Sequence, residues 1–223
     1  MQNKKKILSV NDVEKLGIDE IKNFYSSHVN PYQTKIFSNF SFGKEIFKEA
    51  KGMYIYTENG KKILDFTGGF GVLNHGHNHD RIISIRKKFL NENKMEVHKI
   101  VFSKYLAALS YNLSKILENN FDRTFLCNSG AEAVEGALKI AYRYYENKKF
   151  VLSSDKSYHG KLIATGSISG SYKNKNSFPK ISNYDFFKFN DPISLEKKVI
   201  ELQELGGVYA VVIEPFSATL LEE

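Results

Sequence analysis

Four stretches carry residue types that do chemistry. The first is Cys127-Asn128-Ser129-Gly130-Ala131-Glu132-Ala133, placed where an apolar run gives way to helical periodicity. Small residues at a helix start let backbone N–H groups approach an anion, the helix dipole adds favourable potential, and Ser129 adds a hydroxyl donor. The same residues also read as a Ser/Asn helix cap with a tight packing glycine. The Gly-x-x-x-x-Gly-Lys-Ser/Thr spacing of a nucleotide P-loop is absent. The second stretch is Ser157-Tyr158-His159-Gly160-Lys161, shortly after the apolar run at Val151. Loops at the carboxyl ends of neighbouring parallel strands converge on one crevice. Tyr158 and His159 are therefore expected beside the Ser-Gly-Ala turn, where an aromatic could stack on a planar ring whose phosphate sits in that turn. Simple packing is the alternative for both residues.

The third stretch, Asn74-His75-Gly76-His77-Asn78-His79-Asp80, alternates three histidines, as in the metal-binding His-x-His element of amidohydrolases. Only His98 and His159 follow His79, and no second half of a metal site is evident. Structural hydrogen bonding is the preferred reading, and no metal ligand is assigned. The fourth is Glu214-Pro215, which ends the last apolar run. A carboxylate there could orient another loop, touch a ligand or serve structure alone.

The elements that must position these residues follow from periodicity. A short helix is expected over Val13–Tyr25, closed by the His28–Pro31 break. Met53–Thr57 and Lys62–Phe66 flank Asn59-Gly60, a strong hairpin signal. Helices are expected over Arg81–Leu90 and Lys104–Glu118. Strand and helix then alternate: strand Arg123–Cys127, helix Ala131–Tyr145, strands Phe150–Leu152 and Asp185–Phe189, helix Leu195–Leu205 and strand Val208–Ile213. Buried strands separated by helices imply an α/β fold with a mostly parallel sheet and flanking helices. The expected division is an N-terminal helix and hairpin segment over 1–66 and an α/β domain from 67 onward.

Composition bounds the rest. Hydrophobic residues are 42% and charged residues 26% of the 223, an ordinary globular balance that excludes disorder. No apolar run reaches the roughly 18 residues of a membrane span, and the lysine run at Lys4–Lys6 lacks the apolar stretch of a secretory signal. Net charge is +7, but only Arg81, Arg86, Arg123 and Arg143 are arginines. With lysines spread along the chain, the charge reads as solvated helix faces rather than a nucleic-acid surface. A single cysteine, Cys127, fits a reducing compartment, and cytoplasm is the expectation.

In this order the motifs resemble the class III aminotransferases, the pyridoxal-phosphate family that includes ornithine and acetylornithine aminotransferases. The resemblance rests on Lys51-Gly52, the hairpin Tyr54–Asp65, Gly76-His77-Asn78-His79, Asn128–Ala133, Glu135, Lys139, Tyr158-His159-Gly160 and Glu214-Pro215. It covers nearly all of the chain beyond residue 45. Val97-His98-Lys99 and Ser103–Leu106 are similar to the putrescine-aminotransferase-like branch. The resemblance implies a fold type I transferase, with 67–223 as the C-terminally incomplete first part of the large cofactor-binding domain. It implies pyridoxal 5'-phosphate as cofactor, an amine donor and a 2-oxo acid acceptor as substrates, and active sites formed between two subunits of a homodimer. Ser129, Gly130 and Ala131 would hold the cofactor phosphate, Tyr158 matches the aromatic that stacks on the pyridine ring, and His159 lies beside it. His77 and His79 would belong to a loop near the site.

Two departures from the family pattern bear on activity. The family commonly has Arg where this chain has Lys161, and a lysine meets a substrate carboxylate as a point charge instead of a bidentate fork. The family's Schiff-base lysine and its Asp-Glu-x-Gln acid lie beyond the Glu-Pro strand, and neither Lys139 nor Lys161 matches the lysine. No catalytic residue is therefore assigned, and the 223 residues alone are expected to be inactive unless a second polypeptide supplies the rest. The different-class alternative is a truncated paralogue that binds a phosphorylated ligand or dimerises without chemistry. A metal-dependent amidohydrolase using His75, His77 and His79 is the remaining alternative.

Overall fold

The computed structural model describes residues 7–95, 100–118, 120–172 and 179–216. Val97-His98-Lys99 and the stretch after Phe216 lie outside the described residues. The chain divides into two compact units, one up to Lys99 and one from Ile100.

The first unit opens with α1 (Val10–Val13) and α2 (Ile18–Phe24), followed by a π-helical turn over Tyr25–Val29. The single helix expected over Val13–Tyr25 is thus split. Gly17 takes an extended conformation (φ −77°, ψ 161°) as N-cap of α2, and glycine has little cost outside the helical region. The break at Asn30-Pro31 has a clear cause. Asn30 Oδ1 accepts from the Tyr32 and Gln33 amides (3.0 and 3.1 Å), and Pro31 opens α3 (Pro31–Ser38) at a position that needs no N–H partner. The hairpin forms as read: β2 (Tyr54–Thr57) pairs antiparallel with β3 (Lys62–Leu64) around Gly60 at φ +82°. A strand not foreseen, β1 (Phe47–Lys51), adds to the outer side of β2 with a bulge between Phe47 and Glu49. The single turn α4 (Gly68–Gly71) and the helix α5 (Asp80–Asn91) complete this unit.

The second unit starts with α6 (Lys104–Ile116), capped by Ser103, whose Oγ accepts from the Leu106 amide. Next come α7 (Gly130–Tyr144), β4 (Phe150–Ser154), α8 (Ile163–Ser167), β5 (Tyr184–Phe187), α9 (Pro192–Gln203) and β6 (Val208–Val212). Three strands form a parallel sheet in the order β5-β4-β6. Central β4 is buried on both faces, and its side chains alternate between them. Val151 packs with Leu138 and Ile168 on the α7/α8 face, while Leu152 packs with Phe187 and Leu202 on the α9 face. This is the expected α/β layering. The chain goes outward from β4 to β5, then crosses back to place β6 on the other side of β4. That reversal makes the carboxyl ends of β4 and β6 a topological switch point, where crevices open in such sheets.

One expected strand is not formed. Arg123–Cys127 runs without strand pairing among the described residues. Both edges of β4 are taken by β5 and β6. Phe125 instead lies against α7 at Gly136, where an added Cβ would stand 3.0 Å from the Phe125 ring. An apolar run becomes a strand only where a neighbour accepts its backbone hydrogen bonds.

Candidate functional site

The start of α7 serves both purposes that its sequence allows. Ser129 is extended (φ −147°, ψ 159°), and its Oγ accepts from the Glu132 amide at 3.2 Å, so it caps the helix. The Glu132 carboxylate reaches back to accept from the Asn128 amide at 2.7 Å. The Gly130 and Ala131 N–H groups have no acceptor among the described residues, as expected for the first turn of a helix. A Cβ built on Gly130 would meet no heavy atom within 4 Å. The space beside this turn is therefore open.

That space is part of an open cavity of about 550 Å³. Ser129, Gly130, Ala131, Tyr158, His159 and Lys161 all line it, together with Val134 and Gly160. Six residues drawn from two stretches about 30 apart in sequence thus face one volume. Their meeting depends on Gly160. Its φ is +131°, and an added Cβ would lie 2.6 Å from Ala131 Cβ, so only glycine lets this loop touch the start of α7.

Buried hydroxyls hold the loop from within. His159 Nε2 lies 2.8 Å from Ser153 Oγ, and Ser153 Oγ lies 3.0 Å from Ser157 Oγ. Ser157 Oγ donates to the Ser154 carbonyl (2.7 Å) and accepts from the Gly170 amide (3.1 Å). With the Ser157 proton used, Ser153 donates to Ser157, and His159 Nε2–H donates to Ser153. The proton chain thus selects the Nε2–H tautomer of a neutral imidazole. Burial pushes the His159 pKa below its ordinary value near 6.5, partly offset by the Glu214 carboxylate. Ser169 accepts from the His159 amide at 2.8 Å and donates to the Thr165 carbonyl at 2.7 Å. His159 therefore contributes to the cavity wall while its ring is engaged with the protein interior.

Sequence reasoning missed Ser153 and Ser169; hydroxyls closing a buried strand or turn were the available signal. The role of Glu135 was also hidden. From α7 its Oε1 accepts from the Ala164 and Thr165 amides at 2.9 and 3.1 Å, tying α8 to α7 behind the cavity.

In the first unit the histidine loop is organised by Asp65. Its Oδ1 accepts from the Thr67 amide, the Thr67 hydroxyl and the Gly68 amide, and its Oδ2 lies 2.8 Å from His77 Nε2. These donors, Thr67 first, hold the Asp65 carboxyl far below the usual carboxylate range. His77 also pairs its backbone with Gly52, and Gly76 passes so close that a Cβ would stand 2.7 Å from the Gly52 carbonyl oxygen. Among the described residues no three His, Cys, Asp or Glu side chains converge as a metal ligand set.

The profile of the class-III aminotransferases matches residues 42–221. The chain belongs to the class III aminotransferase family. Acetylornithine aminotransferase of Archaeoglobus fulgidus is 35% identical over 167 residues, covering 74% of this chain and 44% of the relative. The enzyme of the same name from Prochlorococcus marinus is 34% identical over 181 residues, covering 76% and 42%. The chain thus spans less than half the length of these class III relatives. Two solved aminotransferases share the fold. Ornithine aminotransferase from Toxoplasma gondii superposes with a TM-score of 0.75 at 23% identity, covering 93% of this chain and 48% of that one. Taurine:2-oxoglutarate aminotransferase from Bifidobacterium kashiwanohense, solved in complex with PLP and glutamate, gives 0.73 at 21%, covering 92% and 50%. The expected partial fold type I architecture is borne out.

Proposed function

We propose that this chain carries the phosphate-binding part of a pyridoxal 5'-phosphate site in a class III aminotransferase. The complete enzyme would move an amino group from an amine or amino acid to a 2-oxo acid. The observation that carries this reading is the pair of N–H groups at Gly130 and Ala131 that have no acceptor among the described residues, at a cavity that Tyr158 and Lys161 also line. A phosphate fits such a turn because two N–H donors and the positive end of a 15-residue helix point at it. Ser129 would keep its oxygen on the Glu132 amide and turn its hydroxyl proton toward the phosphate. Tyr158 would cover the ring face, and Lys161 would offer a point charge to a substrate carboxylate. When bound, the cofactor supplies the electron-accepting ring on which amino transfer depends. In this reading 67–223 forms the first part of the cofactor-binding domain, the complete enzyme is a cytoplasmic homodimer, and neither nucleic acid nor membrane is a partner. No helix among the described residues is long and apolar enough to cross a membrane.

No side chain of the chain is assigned the Schiff-base role, so the 223 residues are expected to bind the cofactor reversibly and to turn nothing over alone. Incubation with pyridoxal phosphate, followed by desalting and absorbance, tests this. The expected outcome is saturable binding that is lost on desalting and weakened by Ser129→Ala and Tyr158→Ala. Turnover of an amine donor by the purified chain, abolished by those two substitutions, would contradict the inactive state. Retained absorbance traced to Lys161 would contradict the absence of a covalent partner.

A further inference from the structure

We propose that Glu135 is a positioning residue for the cofactor cavity: from α7 its carboxylate caps α8, and this clasp sets the spacing between the phosphate-binding turn and the Gly160 loop. The inference rests on reading the Ser129–Ala131 turn as the cofactor-phosphate site.

A helix start needs acceptors for its first amides, and the residue before α8 is Leu162, whose side chain has none. Glu135 supplies one from another helix. Its Oε1 accepts from the Ala164 amide at 2.9 Å and from the Thr165 amide at 3.1 Å, across 29 and 30 residues of sequence. A carboxylate suits that place because it meets two N–H donors and the positive end of the helix together. Thr165 completes the cap locally, its Oγ1 accepting from the Leu162 amide at 3.1 Å.

The clasp lies one turn from the phosphate-binding turn. Glu135 follows Ala131 by four residues on α7, so both occupy one face of the helix. A Cβ added to Gly160 would lie 2.6 Å from Ala131 Cβ and 2.9 Å from Thr165 Oγ1. The Gly160 backbone is thus held between a residue of α7 and a residue whose amide Glu135 takes. Thr165 is fully buried, and its carbonyl accepts from Ser169 Oγ (2.7 Å), which in turn accepts from the His159 amide (2.8 Å). Just past the other end of α8, Ile168 packs against Leu138 and Val151. The start of the loop is fixed from the β6 side, where Glu214 Oε2 accepts from the Tyr158 amide at 2.9 Å. Between those two anchors Glu135 sets how closely His159 and Gly160 approach Ala131, and so how the two walls of the cavity face each other.

The test uses the 223-residue chain with Glu135→Ala, Glu135→Asp and Glu135→Gln, each checked for native far-UV circular dichroism. Alanine removes the acceptor without lowering the helix propensity of α7. Aspartate keeps the charge but is one methylene short, whereas glutamine keeps the reach and an acceptor oxygen without the charge. Without ligand, exchange of the Ala164, Thr165 and His159 amide hydrogens should accelerate at least about tenfold in the alanine and aspartate variants. In the glutamine variant it should stay within about threefold of the parent. Pyridoxal phosphate, which meets both walls, should bind about tenfold more weakly to the alanine and aspartate variants and nearly normally to glutamine, with inorganic phosphate changed less than about twofold throughout. Unchanged exchange at Ala164 and Thr165 in Glu135→Ala overturns the proposal. So does acceleration there with His159 exchange or cofactor binding unchanged, since Glu135 then caps α8 alone. An aspartate variant that matches the parent while glutamine matches alanine also overturns it, because charge and not reach then governs. A parent chain that binds neither ligand sinks the phosphate-site reading instead, and His159 exchange still decides whether Glu135 positions the loop.

Discussion

Two histidine loops in this chain solve opposite problems. The loop after β3 gathers around a charge: Asp65 collects two amides, a hydroxyl and the His77 ring. The loop after β4 gathers around an uncharged relay, in which His159 passes through Ser153 and Ser157 to a backbone carbonyl. The second loop sits on the most buried strand of the molecule, where an unpaired ion would be costly and hydroxyls satisfy one another. A histidine in a loop is thus defined by its partner, a carboxylate fixed by several donors in one loop and a chain of hydroxyls in the other.

The largest way to break the second loop is Gly160→Ala. The added methyl collides with Ala131 and must adopt positive φ, so a loss of about 3 kcal/mol in urea unfolding is expected. The same exchange at Gly130 should be nearly silent in stability, because its Cβ meets nothing. Ser153→Ala comes next. It removes the acceptor of the His159 Nε2–H and the donor to Ser157, and about 1–3 kcal/mol should be lost.

The pH dependences sharpen the contrast with smaller effects. His159 has a lowered pKa in the folded state, so the unfolded chain binds more protons as pH falls through about 6.5. Its contribution to stability is present above that value and declines below it, and His159→Gln should flatten the decline in thermal midpoint. Asp65 has the opposite linkage to charge: its folded pKa is depressed, so its contribution is present above about pH 4 and is lost on further acidification. Asp65→Asn should therefore alter the profile below about pH 4 and leave the slope near 6.5 intact. Midpoints that fall together in one window for both variants would erase the distinction.

Much of the framework was legible because local chemistry and tertiary demand agree. Asn59-Gly60 specifies the hairpin, the continuous apolar runs at Val151 and Val208 suit strands of a layered sheet, and Ser129 announces the start of α7. The failures occur where a distant partner decides. Arg123–Cys127 has strand composition but pairs with no strand among the described residues. Phe47–Lys51 alternates charge and looks like surface, yet β2 offers it an edge. At the candidate site, spacing brought the Ser129 and Tyr158 stretches toward one crevice. It could not reveal that His159 turns inward to Ser153, nor that Glu214 grips an amide 56 residues away.

The central claim is that the Gly130–Ala131 turn receives the phosphate of the cofactor. Gly130→Asp tests it most directly, because aspartate is favourable in the first turn of a helix and its Cβ has room. The fold should therefore persist while a carboxylate occupies the anion's place. Titration of the parent and variant chains with pyridoxal phosphate and with inorganic phosphate should show both ligands weakened at least about tenfold by the substitution. Equal binding by the two chains would contradict the claim and move the phosphate elsewhere.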